Sequence, residues 1–178
     1  SAKECNPSNN LPGHAVLIKL FGSHKKAKAY FLGLMYNDGW VLKDSPRFGL
    51  GLKITDLHII KTFKTNIKAE KKIYFNEKTT TNRNISPETQ VTLTLSSQIT
   101  KNHLMRLGVI PRKSLKIKFP NNKNVPNKYL KHFVRGYFDG DGSISKSKRV
   151  DFTCGSKIFL IGLFLAIFLL LFVCYPSL

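Results

Sequence analysis

The sequence predicts an α+β fold: an αββαββα unit with an antiparallel sheet, followed by a partial second unit. Three observations carry this. Hydrophobic spacing alternates between helical and strand periods in the order helix, strand pair, helix, strand pair, helix as far as Gly108. A short motif near the start of that unit recurs 103 residues later. A balance of 29 Lys and Arg against 10 Asp and Glu gives a net charge of +19, which calls for a polyanionic partner, nucleic acid or an anionic membrane.

The motif organises the chain. Its second copy, His132–Ile144 (HFVRGYFDGDGSI), reads as a helix up to about Phe138, stopped by an Asp-Gly-Asp-Gly turn, with a strand from Ser143. Its first copy is Tyr30–Val41 (YFLGLMYNDGWV), whose helix spans about Lys28–Asn37. Gly33 aligns with Gly136, Asp38 with Asp141, Gly39 with Gly142 and Val41 with Ile144. The offset is the size of a small domain, so the repeat is of a domain-sized unit. Small residues recur every fourth position, at Ala29, Gly33 and Asn37 and then at Gly136 and Gly140, a stripe that lets two helix backbones approach. Packed side by side, the helices bring Asp38 and Asp141 to the same end. Helix C-termini carry the negative pole of the dipole and disfavour carboxylates, unless a bound cation reverses the preference.

The remaining elements follow in order. Residues 1–27 read as an N-terminal arm, polar as far as residue 13, with a short apolar run over Ala15–Phe21. After Gly39 the period turns toward 2, and Trp40–Lys43 and Phe48–Lys53 read as strands joined around Asp44-Ser45-Pro46. Phe48, Leu50 and Leu52 would face the core, Arg47 and Lys53 the outside. A helix capped by Thr55 or Asp56 buries Leu57, Ile60, Phe63 and Ile67. Lys71–Lys78 and Gln90–Leu95 form the second strand pair, with Ile73, Phe75, Val91, Leu93 and Leu95 on one face. Its polar connection holds Arg83. A helix from about Ser97 ends at Gly108, with Pro111 beyond. Residues 120–128 form a polar linker, and the second motif helix starts near Tyr129.

One face of such a sheet is buried under helices and the other is free. The free face gathers Arg47, Lys53, Lys72, Tyr74, Asn76, Lys78, Gln90, Thr92 and Thr94, with Arg83 beside it. These side chains suit base edges and phosphates, and a β-ribbon fits a major groove. Cys5, Cys154 and Cys174 show no CxxC pair, so neither a zinc finger nor a disulfide framework is indicated. The histidines show no ligand spacing, and there is no Gly-rich phosphate loop. A reducing compartment and no secretion are expected, in cytoplasm or nucleoid or in an organellar matrix.

The two motif copies, with the elements between them, resemble the LAGLIDADG family of homing endonucleases in its Asp-Gly-Asp-Gly version. The resemblance covers about residues 28–163. It implies a first half-domain over 28–119, a partial second over 129–163, and paired motif helices as the core between the halves, with Gly33 and Gly136 at their interface. It implies that Asp38 and Asp141, the last acids of each motif, bind Mg²⁺ or another divalent cation and serve DNA cleavage. Asp139 matches the earlier acid of the second motif, where the first has Tyr36. Lys113, in the segment after the first half, matches a lysine near the family's active site. The function implied is metal-dependent double-strand breakage of a long DNA site in intron or intein mobility. Double-stranded DNA is the partner, and no small-molecule substrate is expected. The alternative is a DNA-binding remnant or regulator that keeps the fold without cleaving.

The pattern departs from the family after Gly142, where 36 residues remain. A second half equal to the first needs about 80 to 100. Ser143–Ser156 continues as a hairpin with Lys146 and Lys148 near its turn as further DNA contacts, returning along Val150–Cys154. Residues 164–178 then form an apolar tail. From Ile158 to Tyr175 there is no charge, which reaches the ~18 residues of a membrane span. A membrane anchor, a degenerate or frame-shifted end and a buried core helix all fit the tail. With so short a second sheet, the expectation is DNA binding with poor cleavage.

Overall fold

Strict alternation gives the main sheet its two faces. Phe48, Leu50 and Leu52 of β2 (Arg47–Lys53) stand opposite Leu95, Leu93 and Val91 of β4 (Glu88–Ser96), and all six are buried. The computed structural model describes residues 25–78 and 88–174. The N-terminal arm as far as residue 24, with its apolar run, and Arg83 with its connection lie outside them. β1 (Gly39–Val41) pairs with β2, and β3 (Ile73–Lys78) with β4, giving an antiparallel sheet in the order β1-β2-β4-β3. Helix α1 (Lys25–Asn37) precedes β1, α2 (Leu57–Asn66) lies between the strand pairs and α3 (Gln98–Arg106) follows β4. This is the αββαββα order, an α+β arrangement compatible with a LAGLIDADG fold.

The helix boundaries have local causes. Ser97 caps α3, its hydroxyl accepting from the Thr100 N–H at 3.3 Å, and Gly108 closes it at φ +101°. At α2 a 3₁₀ turn over Ile54–Asp56 leads in, and Asp56 makes no side-chain cap bond. Ile60, Phe63 and Ile67 of that region are buried against β2 and β4. Phe75 corrects the sequence reading. It faces the same side as Val91 but is 58% exposed, because β3 is the edge strand and α2 packs on β2 and β4. Lys101 is buried, and its ammonium donates at 2.8 Å to the carbonyls of Lys43 and Ser45, holding the β1–β2 turn.

The second motif helix, α4 (Asn127–Asp141), lies along α1 and makes the most extensive helix contact in the fold. A Cβ on Gly33 would run into the Phe133 carbonyl oxygen, and one on Gly136 into the Tyr30 carbonyl oxygen. The helices therefore meet backbone to backbone. α4 also runs on to Asp141 instead of ending near Phe138, and Gly142, in extended backbone, terminates it.

Beyond α4, β5 (Gly142–Ile144) and β6 (Val150–Phe152) form a two-stranded sheet of their own. Lys148 takes a left-handed turn conformation at its bend. α5 (Lys157–Cys174) runs unbroken past residue 163, where the sequence suggested a change to a tail. Its inner face is core: Phe159, Leu163 and Ala166 are buried, with the Phe159 ring 4.6 Å from Tyr137 and 5.6 Å from Phe119. The Ser156 hydroxyl donates to the Ile117 carbonyl at 2.6 Å just before the helix. Its outer face leaves Phe164, Leu165 and Phe168 exposed. Among the described residues no helix is long and apolar enough to cross a membrane.

Candidate active site and nucleic-acid interface

The site forms where α1 and α4 end together. Asp38 is the first residue past α1, and its N–H still bonds to the Leu34 carbonyl at 2.9 Å. Asp141 is the last residue of α4. Between them stands the Asn37 side-chain amide. With Nδ2 turned toward α4 it donates to the Asp141 carboxylate, while Oδ1 accepts from the Asp141 backbone N–H at 2.6 Å. The opposite orientation places Nδ2 3.3 Å from Asp38 Oδ2 but leaves the Asp141 groups facing their own kind. The amide assignment follows from the hydrogen bonds. Both motif carboxylates thus lie within reach of one side-chain amide.

Lys113 arrives from the far side of the chain. Val109, buried after the left-handed turn at Gly108, anchors the segment, and the Tyr36 hydroxyl donates to the Leu107 carbonyl at 2.6 Å. Arg112 then adopts a left-handed conformation, φ 51°, that turns the chain into a 3₁₀ turn over Lys113–Leu115. The half-buried Lys113 ammonium donates to the Asn37 carbonyl oxygen, at the negative pole of α1, where a cation is favoured.

The electrostatics agree with the geometry. Burial, then the neighbouring Asp141 carboxylate, pushes Asp38 up to about 6, while Lys113 pulls it back. Burial lowers Lys113, and the two carboxylates oppose that shift. Tyr137 donates to the Thr153 carbonyl at 2.9 Å, and burial first, then Cys154 and the carboxylates, raises its hydroxyl. Two like charges at two negative helix poles, with Asp38 half-buried and Asp141 exposed, are an unfavourable arrangement for apo protein and a favourable one around a shared cation. Their oxygens are hard donors suited to Mg²⁺. Among the described residues no three His, Cys, Asp or Glu side chains cluster for a metal, so water and phosphate oxygens would complete such a shell.

The position three residues after the aligned Gly33 and Gly136 points elsewhere in each motif copy. Tyr36 is buried, edge-on to Phe133 with ring centres 5.0 Å apart. Asp139 accepts from the Tyr30 hydroxyl at 2.8 Å and lies 3.7 Å from the Arg135 guanidinium. One acid per motif therefore reaches the site, and Asp139 instead ties α4 to α1.

The outward sheet face assembles as rows across the strands. Lys53, Gln90 and Asn76 share one row, and Gly51, Thr92 and Tyr74 the next. Gly49 pairs with Thr94, and Arg47 with Ser96. The Trp40 ring lies where a Gly49 side chain would be, and the Gln90 and Thr92 side chains crowd Gly51, so both glycines are covered. Trp40 thus joins the face, though the sequence reading placed it only in a strand. Arg47, Lys53, Tyr74 and Asn76 are exposed, as is Lys72 just before β3; Lys78 pairs with Glu88 at the far end. Lys146 and Lys148 are exposed on the β5–β6 turn, on the separate second sheet.

Asn37 is the site residue that sequence reasoning missed. Its signal was in the repeat, where it aligns with Gly140, a side chain facing a residue that has none.

No match was found among curated proteins. Residues 128–166 match the family model described as a LAGLIDADG-like domain. Proteins with this domain are generally nucleases, typically dependent on divalent metal, or related DNA-binding proteins acting on double-stranded DNA. That stretch of the chain is similar to a LAGLIDADG-like domain, which is consistent with a LAGLIDADG homing endonuclease family member.

Proposed function

We propose that this protein binds double-stranded DNA across its four-stranded sheet and hydrolyses phosphodiesters at the paired ends of α1 and α4, in the manner of an intron or intein homing endonuclease. The observation that carries the reading is the convergence of Asp38, Lys113 and Asp141, far apart in the chain, on the single residue Asn37. Asp38 and Asp141 would hold the divalent cation. Bound there, the cation supplies Lewis-acid activation of water and of the leaving oxygen. Ionised Asp38 and Asp141 contribute the negative charge that draws it in. The Lys113 ammonium offsets charge growing on the phosphate in a partly desolvated setting. Rows of Lys, Arg, Asn, Gln, Thr and Tyr on the sheet orient the duplex and supply salt-sensitive affinity.

One observation favours a second reading, DNA binding without efficient cutting. The second sheet has two strands of three residues each. A duplex is then gripped on one side far more than on the other, and loosely positioned catalytic groups lose rate steeply. Purified full-length protein is incubated with a randomised duplex library and Mg²⁺, and binding and strand breakage are scored separately. Binding with slow, Mg²⁺-dependent breakage that D38N and D141N abolish is expected. Breakage unchanged in both variants sinks the active-site assignment, and tight binding with no breakage at any Mg²⁺ concentration establishes the second reading.

A further inference from the structure

We infer that Asn37 is the positioning residue of this site: its side-chain amide clamps the Asp141 carboxylate across the helix pair, in a space that Gly140 provides. The inference rests on the proposed metal-binding role of Asp38 and Asp141.

Three contacts of one residue support it. Through its side chain Asn37 grips Asp141 at two points, donating to the carboxylate and accepting from the backbone N–H at 2.6 Å. A two-point grip fixes both the end of α4 and the direction of the acid. Through its backbone carbonyl it accepts from Lys113. Through the chain it is bonded to Asp38. Asn37 therefore touches every group of the candidate site.

The repeat explains how the space arises. Gly140 occupies in α4 the place that Asn37 occupies in α1. A Cβ on Gly140 would collide with the end of the Asn37 side-chain amide, the position Oδ1 takes when Nδ2 faces Asp141, and crowd Asp38 Oδ2. A symmetric pair of Asn side chains would not fit, and a symmetric pair of Gly would leave Asp141 ungripped. The chain keeps one of each, so the two halves of the site are not equivalent. With Nδ2 on Asp141, Asn37 Oδ1 stands 3.3 Å from Asp38 Oδ2. That oxygen pair favours a cation between or beside them. The amide therefore braces one carboxylate and turns an acceptor toward the other.

The test is Mn²⁺ titration of the full chain by electron paramagnetic resonance, with N37A and D141N, alongside thermal melts. Removing a partner that orients a metal ligand costs about 10–100-fold in affinity. N37A is expected to weaken Mn²⁺ by that factor, with the metal-free melting midpoint within about 3 °C of wild type, an ordinary change for a partly exposed site. D141N is expected to weaken it at least as much. If D141N loses Mn²⁺ while N37A binds within threefold of wild type, the clamp is wrong and the metal site stands. If D141N binds as wild type does, the metal reading fails and the positioning role with it. A metal-free readout separates the two further. The Asn37 side-chain amide protons, followed by NMR, are expected to exchange slowly in wild type and freely in D141A. Free exchange in wild type overturns the clamp whatever Mn²⁺ does.

Discussion

Replacing Gly136 with alanine tests the helix pair directly. In an isolated helix the change stabilises by about 1 kcal/mol, because Gly is the poorer helix former. In this protein the new methyl would enter the Tyr30 carbonyl, and all three nearest atoms belong to the Tyr30 backbone. Overpacking costs about 1–3 kcal/mol when side chains can shift, and occasionally more. Backbone has no alternative rotamer, so the cost belongs at or above the top of that range. The net loss is about 2 kcal/mol. For a chain of this length each kcal/mol moves the melting midpoint by about 2–4 °C, so G136A should melt about 4–8 °C below wild type. G51A is the matched control, since its methyl meets only the ends of the Gln90 and Thr92 side chains at 3.2–3.3 Å. The assay is thermal unfolding by circular dichroism with urea midpoints for confirmation. A G136A protein as stable as wild type, or a G51A protein equally damaged, would refute the backbone-to-backbone packing.

Three more outcomes follow from the same contacts. Asp38, raised to about 6, binds its proton more tightly folded than unfolded, so stability should fall as pH rises from about 4 to about 6 and level off above; urea midpoints of D38N compared with wild type should lack that part of the slope, and an identical slope would contradict the burial. Y36F leaves the buried Leu107 carbonyl without its 2.6 Å donor and should cost about 1–3 kcal/mol, read as a lowered melting midpoint; an unchanged one removes the hydroxyl from the account of the Gly108 turn. Affinity for duplex DNA should drop steeply between 50 and 200 mM salt, with R47A and K53A each flattening the log–log slope by about 1; slopes equal to wild type would take the sheet face out of phosphate contact.

Local pattern revealed the sheet and the helix pair because their causes are local. Alternation at Phe48–Leu52 and Val91–Leu95 states which face is buried, and the register confirms it. The stripe of Gly33 and Gly136 states that two backbones touch. The exposure of Phe75 was not legible, because coverage of an edge strand depends on where a distant helix lies. Nor was the extension of α4 to Asp141, since Asp-Gly-Asp-Gly reads as a turn until Asn37 from another helix grips it. The direction of Asp139 depended likewise on Tyr30, 109 residues away. Lys113 came from resemblance alone; nothing in its neighbours marks a lysine after a helix as different from any solvated one.

The close approach of α1 and α4 has a consequence for how such a protein changes over evolutionary time. The spacing of the two acids is referred to main-chain atoms of Tyr30, Gly33, Phe133 and Gly136. The outward rows of the sheet, from Arg47 to Asn76, contribute nothing to that spacing. Under the proposed function, mutations on those rows can therefore rewrite which DNA sequence is recognised while leaving the paired helix ends in place. Target choice and the proposed catalysis would then drift independently, as long as the two glycines and Asn37 stay in place.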